Sequence, residues 1–418
     1  MSLFAIADCN NFYASCERVF QPNLDRKPIV VLSNNDGCVI ARSNEAKLLG
    51  VKMGAPYFKI QHYAKQEGIT ILSSNYCLYG DMSQRVMQVL SNYAPRIEIY
   101  SIDEAFLDFS GMPGDLTQYC QDICKTVKQW TGIPISIGIA PTKTLAKLAN
   151  RLAKKGHGGV LDWRTLVSPN KILEAIPLED IWGISRRWSE KLQALGIKNA
   201  LDLSQAEPKR MRQHFGVVME RIVIELRGNS CIPLEEMPSA KKQIMTSRSF
   251  GEKLTQFDDL RAAVTHFSAR AAEKLRHQKL ATQALTVFIQ TSPFDTQQYA
   301  NSATTVFELP SNDSAQLINA AHRGLERIFK KGFSYQRAGI LLPDLLPAGV
   351  AQKSLFDSDE RSIRSDQLMV TLDKINRLHG KKSICYASEI ISKRWHMRQQ
   401  FKSPSYTTNW RELLTIMN

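Results

Sequence analysis

The sequence predicts a multidomain chain of the α+β class, and three features carry that prediction. An apolar run over residues 3–7 ends at Asp8, and an acidic hairpin over 97–109 and a strand over 133–140 supply it with sheet partners. Residues 166–232 have helical periodicity and short connections. Beyond them, strand and helix signals follow in the order β-α-β-β-α-β, a split βαβ unit of four strands and two helices. Blocks of different pattern imply separate layered domains, and 418 residues is ample for several cores.

Strand one, Leu3-Phe4-Ala5-Ile6-Ala7, is apolar on both faces. Such a strand belongs in the middle of a covered sheet, with Asp8 emerging at the rim of the core. Residues 19–74 read as a small lobe. A strand over 28–32 leads into the polar loop Ser33-Asn34-Asn35-Asp36-Gly37-Cys38, the apolar pattern resumes through Arg42, and residues 44–50 form a short helix ending in Gly50. A helix over 82–93 returns the chain to the hairpin. There, residues 97–102 and 105–109 are short runs rich in Ile and aromatics, with Asp103 and Glu104 near the bend. Adjacent carboxylates raise each other's pKa unless a cation lies between them. Taken alone, the pair fits a polar turn. With strand one beside the hairpin, Asp8 joins it, and three carboxylates suit hard divalent cations. Such sites serve two-metal phosphoryl transfer.

A helix over 115–131, the strand 133–140 and a helix opening near Pro141 and Thr142 complete a mixed sheet with helices against one face. In the last helix Lys143, Lys147, Arg151, Lys154 and Lys155 recur with no acid among them, and Leu145, Leu148, Ala149 and Leu152 line the other side. An amphipathic helix with a solvated basic face accounts for this pattern. Beside a metal–triphosphate site the same cations meet phosphate oxygens.

In the helical stretch, Trp182-Gly183-Ile184-Ser185 looks like the turn of a helix-hairpin-helix, whose free N–H groups face a DNA phosphate without reading bases. A plain αα-hairpin is the alternative. Two prolines and no periodicity make residues 233–242 a linker. The split βαβ unit places strands at 244–250, 283–291, 303–309 and 335–342 and helices at 260–278 and 314–330. Arg248, Arg270, Lys274 and Arg276 are candidates to track a phosphate backbone. From residue 346 the chain loosens into an Asp/Ser/Arg-rich run over 357–366, a short amphipathic helix over 366–380 and a basic end to which no fold is assigned.

Net charge is +14 with a pI near 9.4, spread as +4 over residues 1–165, +5 over 166–345 and +5 over 346–418. A long polyanion touching several domains fits that spread better than one small acidic ligand. No apolar run reaches the roughly 18 residues a membrane span needs, and Met1-Ser2-Leu3-Phe4 lacks the basic flank of a signal peptide. The expectation is a cytoplasmic protein with no membrane partner. Eight cysteines without a C-x-x-C pair are expected to be free thiols in a reducing compartment, not a zinc site.

The set Asp8-Cys9-Asn10-Asn11-Phe12-Tyr13-Ala14-Ser15, Ser101-Ile102-Asp103-Glu104, Gly138-Ile139-Ala140 ahead of Lys143 and Lys147, and the helix-hairpin-helix resembles the Y-family DNA polymerases. The loop over 33–42 and the long C-terminal tail narrow the resemblance to UmuC-type catalytic subunits of bacterial DNA polymerase V. Those enzymes carry out error-prone translesion synthesis in the SOS response. The resemblance implies a polymerase right hand: a mixed-sheet palm at 1–18 and 75–165, small fingers at 19–74, a helical thumb at 166–232, a split βαβ little finger at 243–345 and a C-terminal tail at 346–418. It also implies that Asp8 and Asp103 bridge two Mg²⁺ ions. Glu104 would bind the catalytic ion near the primer 3′-OH, and the Cys9 carbonyl would join the second. Tyr13 is implied as the steric gate against a ribose 2′-OH, although an aromatic ring after a buried strand is also a common core residue. Arg42, Lys47 and Lys147 are implied at the nucleotide, and Gly183, Ser185 and Arg248 at primer–template DNA. Many members carry a Tyr and an Arg in the fingers helix where Asn44 and Lys47 stand here, and a Lys offers a point charge in place of a bidentate fork.

The implied partners are dNTP, primer–template DNA, a UmuD′-type accessory dimer and a RecA-type filament. Gln352-Lys353-Ser354-Leu355-Phe356 resembles the short peptide by which bacterial polymerases dock on the sliding clamp, with Gln352 at the pocket rim and Leu355 and Phe356 as anchors. Two other readings compete. A nucleotidyl cyclase uses two-metal acids on a comparable sheet but needs no helix-hairpin-helix. A non-catalytic DNA-binding scaffold needs no convergence of Asp8, Asp103 and Glu104.

Overall fold

The structure is a computed structural model describing residues 2–156, 158–237, 240–348, 359–380, 382–392 and 394–413, with backbone alone over 359–363. It divides into two compact units, residues 1–33, 37–238 and 401–418, and residues 34–36 and 239–400.

Unit 1 opens with β1 (Phe4–Cys9), α1 (Phe12–Phe20), β2 (Ile29–Leu32), β3 (Val39–Arg42), α2 (Asn44–Leu48), α3 (Tyr57–Gln66), β4 (Thr70–Ser73) and α4 (Tyr76–Leu90). It continues with β5 (Ile97–Ile99), β6 (Glu104–Asp108), α5 (Leu116–Thr131), β7 (Ile135–Ala140), α6 (Lys143–Ala153) and β8 (Val160–Asp162). The main sheet has the order β5-β6-β1-β7-β8, antiparallel except between β7 and β8. β1 is central and buried along its whole length. Helices cover both faces, a correction to the expected single layer. Ala5, Ala7 and Leu107 pack with Met82, Ile123 and Val127 of α4 and α5. Phe4, Ile6 and Phe106 pack with Leu145, Leu148 and Ala149 of α6. A helical stripe states that one face is apolar, not which side of a sheet it covers, but a strand apolar on both faces requires both sides filled.

α6 lies tight on β7. A Cβ at Gly138 would come within 2.1 Å of the Asn150 backbone nitrogen, and the Asn150 amide donates to the Ser136 carbonyl at 2.6 Å. The second sheet, β3-β2-β4, has its own small core of Val30, Leu32, Val39, Ala46 and Ala64. The helix expected at 82–93 begins at Tyr76, where Asn75 accepts from the Leu78 N–H. Gly80 in its first turns weakens the local helical signal. The hairpin strands stop short of the bend because the Tyr100 and Ser101 N–H groups both donate to the Glu104 carbonyl.

α7 (Pro169–Glu174), α8 (Arg186–Ala194), α9 (Ala200–Gln205), α10 (Pro208–Phe215) and α11 (Val217–Leu226) share a core containing Leu178, Leu192, Met219 and Val223. The first arm of the expected helix-hairpin-helix is a single 3₁₀ turn, Leu178–Asp180. Its bend is held by Gly183 at φ +88°, a conformation that penalises a side chain, and Ser185 is the N-cap residue of α8.

Unit 2 contains β9 (Ile244–Leu254), α12 (Phe257–His277), β10 (Leu280–Thr291), β11 (Ala300–Ser311), α13 (Ser314–Ile328), β12 (Tyr335–Leu342), β13 (Leu345–Pro347) and α14 (Asp359–Leu378). The β-α-β-β-α-β order holds, with sheet order β11-β10-β12-β9, and one core gathers Phe267, Leu325, Tyr335 and Ile340. Most of the expected Asp/Ser/Arg-rich run and of the expected short helix are one continuous helix, α14. Within unit 2, α14 and the described residues that follow it pack on the split βαβ core: Arg276 bonds Asp373 through Nε and Nη2, each at 2.7 Å, Glu389 meets His266 at 2.8 Å, and Trp395 is buried against Phe267. In unit 1, Lys402 bridges to Ser73 at the end of β4, and Tyr406 stacks on Phe20 of α1. Gln352, Leu355 and Phe356 lie outside the described residues. All eight cysteines are free. Among the described residues no helix is long and apolar enough to cross a membrane.

Candidate active site

Antiparallel register places Asp8 on β1 opposite Glu104 on β6. One residue on, the Cys9 N–H donates to the Asp103 carbonyl at 2.8 Å. The three residues therefore lie together at one end of the sheet, Asp8 beside Glu104 across β1 and β6 and Asp103 next along the chain. Ser101 organises the bend. Its hydroxyl donates to Asp103 Oδ1 at 2.7 Å and accepts from the N–H groups of Asp103 and Glu104. Sequence reasoning gave Ser101 no role of its own, although a Ser two residues before an Asp in a turn is the available signal.

Burial pushes the Asp8 carboxyl up to about 7, against the pull of Lys154, whose Nζ lies 2.6 Å from Oδ1. Lys147 Nζ donates to Glu104 Oε2 at 2.8 Å and sits over the Tyr100 and Trp182 rings at 4.4 and 5.4 Å. Lys147 in α6 and Lys154, the C-cap residue of α6, are seven residues apart, so they lie on the same side of the helix axis. Two other cations of this stretch do not face the acids of the hairpin bend. Lys143 is buried, bonded to Glu98 and to the Pro233 carbonyl, and Arg151 pairs with Asp180. As α6 crosses the sheet, β5, β6 and β1 each present one acid to one lysine: Glu98 to Lys143, Glu104 to Lys147, Asp8 to Lys154.

Among the described residues no set of three or more His, Cys, Asp or Glu side chains is gathered closely enough to cage an ion. Three carboxylates repel without cations, and here two of them are held by ammonium groups. The donor set nevertheless suits Mg²⁺, which takes oxygen ligands and binds through one or two carboxylates plus substrate phosphates. Burial pushes the Cys9 thiol up, so its carbonyl is the suitable ligand atom.

Tyr13, in the first turn of α1, is half-buried. Its ring stacks on Tyr79 at 4.3 Å and meets Tyr76 edge-on at 6.1 Å. Lys47 Nζ donates to Asn11 Oδ1 at 2.6 Å and to Asn44 Oδ1 at 3.2 Å. Burial lowers the Lys47 pKa, and Arg42 and Lys154 lower it further, so these three cations share one neighbourhood. Arg42 bonds the Val51 carbonyl, while its Nε is buried without a hydrogen-bond partner.

In unit 2, Arg248 is exposed on β9. Burial lowers the Lys274 pKa, with Arg270, Lys241 and Arg248 adding to the effect, which marks a positive cluster. Arg276 is excluded from it. Its side chain is 10% exposed and is taken up by Asp373, Asn312 and Ser314.

The family described as impB/mucB/samB matches residues 7–151, its C-terminal domain matches 241–355, and a domain of unknown function (DUF4113) matches 366–416. The chain is 48% identical over 421 residues to the protein UmuC of Salmonella typhimurium, covering 99% of this chain and 100% of that one. It is 43% identical to MucB of Escherichia coli over 98% of this chain and 99% of that one. DNA polymerase IV of Desulfatibacillum aliphaticivorans is 27% identical, with 90% and 93% covered. A solved Y-family DNA polymerase chimera matches with a TM-score of 0.66 at 22% identity, over 82% of this chain and 99% of that chain, a likeness of fold.

Proposed function

The chain belongs to the impB/mucB/samB family, and from that premise we propose that it is a Y-family DNA polymerase of the UmuC type. It performs template-directed, error-prone translesion synthesis in the bacterial SOS response, joining a dNTP to a primer 3′-OH. The observation that carries this reading is the placement of residues Asp8, Asp103 and Glu104 at one end of a sheet crossed by a lysine-bearing helix, with Glu104 and Asp8 each paired to a lysine. The hand divides into palm at 1–18 and 75–165, fingers at 19–74, thumb at 166–232, little finger at 243–345 and tail at 346–418.

Two Mg²⁺ ions held by Asp8, Asp103, Glu104 and the Cys9 carbonyl would supply a more acidic 3′-OH and charge neutralisation at the triphosphate. The chain's own residues do the rest. Ser101 orients Asp103 through the short hydroxyl contact. Lys147 and Lys154, held against the acids, are placed to turn to phosphate oxygens when a nucleotide arrives, with Lys47 and Arg42 on the fingers side. The Tyr13 ring stacks on Tyr79, and in this reading it would fill the space that a 2′-OH needs. Gly183, Ser185 and Arg248 contact DNA phosphates, which bind without reading sequence.

Primer extension with Mg²⁺ and dNTPs on a primed template tests the reading. Templated addition is the expected result. Cyclisation of a nucleoside triphosphate would mark a cyclase, and DNA binding with no metal-dependent synthesis would mark a scaffold.

The UmuD′-type dimer, the RecA-type filament and the sliding clamp are the proposed partners. Clamp tethering keeps the enzyme near its primer end at high effective concentration. Leu355→Ala with Phe356→Ala should leave clamp-free extension unchanged and remove the gain on adding the clamp. Undiminished stimulation of that variant would show that this peptide is not the tether.

A further inference from the structure

Glu17 lies on α1 four residues after Tyr13 and is fully buried. Its Oε1 accepts two hydrogen bonds, from the Tyr79 hydroxyl of α4 at 2.7 Å and from the Ser403 hydroxyl at 3.0 Å. Its Oε2 is buried without a partner. Burial raises the Glu17 pKa and those two hydroxyls lower it, so together they stabilise the charge. Tyr79 is thus fixed twice, through its hydroxyl to Glu17 and through its ring face to Tyr13, with centroids 4.3 Å apart and planes 14° from parallel.

The partner that completes Glu17 comes from 386 residues away. The segment bearing Ser403 is anchored on both helices that carry this pair of rings. Asn75, the N-cap of α4, donates to Ser403 Oγ at 3.0 Å and to the Pro404 carbonyl at 3.2 Å. Tyr406 stacks on Phe20, the last residue of α1, at 4.9 Å. On the other side, the Ser73 N–H donates to the Phe401 carbonyl at 2.9 Å.

We propose that the C-terminal segment around Ser403 is a positioning element for sugar selection. By holding Tyr79 through Glu17, it sets the seat on which the Tyr13 ring stacks. The inference rests on the reading of Tyr13 as the gate against a 2′-OH. A gate of this kind works by contact, and close-packed rings transmit small displacements to one another. Removing the Ser403 hydroxyl leaves a buried carboxylate with one donor, which loosens Glu17, then Tyr79, then the gate.

The test is kcat/KM for ribo- and deoxynucleotides opposite the same template base, using the full-length protein. Tyr13→Ala should raise the ribo-to-deoxy ratio about ten- to a hundredfold. Ser403→Ala and Tyr79→Phe should each raise it about three- to tenfold. Ser403→Thr should restore the wild-type ratio, and Ser403→Ala added to Tyr13→Ala should change it no further, because the gate is already gone. Tyr79→Phe keeps the ring and carries the test should Ser403→Ala fail to fold. A wild-type ratio in both folded variants, alongside a relaxed Tyr13→Ala, overturns the positioning role and leaves the gate standing. A wild-type ratio in Tyr13→Ala itself overturns both.

Discussion

Replacing Asp103 or Glu104 by Ala is expected to lower primer extension by at least about a hundredfold, the scale on which loss of one charge-stabilising group at a reacting centre is felt. The geometry makes the two residues unequal in kind. Asp103 is tied to Ser101, so its loss also frees the bend. Glu104 is paired with Lys147, so its loss leaves an ammonium over Tyr100 and Trp182 with no carboxylate partner. Neither side chain lies in a hydrophobic core, and the folded state should survive both changes. Binding to primer–template DNA should stay near wild type, since the proposed phosphate contacts lie elsewhere. Extension at more than a few per cent of wild type by either variant, with melting unchanged, would remove these carboxylates from the chemistry.

Gly138→Ala should be the most damaging single methyl group in unit 1. The new Cβ would stand 2.1 Å from the Asn150 nitrogen and 2.4 Å from the Ala146 carbonyl. Both are backbone atoms of α6, so no side chain can rotate away. Either β7 or the whole helix must move. Overpacking of this kind costs about 1–3 kcal/mol or more, read as a lower melting transition for unit 1. Activity should fall further than stability, because α6 carries Lys147 and Lys154 to the acids. Gly80→Ala in α4 is the control. It meets nothing within 4 Å, and helix propensity predicts a gain of about 0.5–1 kcal/mol. Equal melting of Gly138→Ala and wild type would show that the close approach of α6 to β7 is not what holds the helix.

Much of the site was legible in the chain because its signals are local. A strand apolar on both faces states its own place in a sheet, and Asp8 at its end inherits that place. Asp103 and Glu104 sit between two short apolar runs, and alternation alone puts them at a bend. The split βαβ unit was equally legible, since its order is one of contiguous periodic segments. The helix at residues 76–90 was half hidden because Gly80 blunts the periodicity that marks its start.

Contacts between distant segments were decided by the tertiary structure alone. Five cations recur along residues 143–155, and nothing in their spacing says which of them meets Asp8 or Glu104. That choice is made by the strand order β5-β6-β1 under α6, a long-range property. It commits Lys143 to Glu98 and gives Lys147 and Lys154 to Glu104 and Asp8. The same holds for the C-terminal end. Trp395 and Tyr406 are buried singly, without an amphipathic repeat, so their docking leaves no periodic trace in the sequence. Residue types and local pattern determined which groups the protein has for its chemistry. Burial against residues hundreds of positions away decided which of those groups face one another.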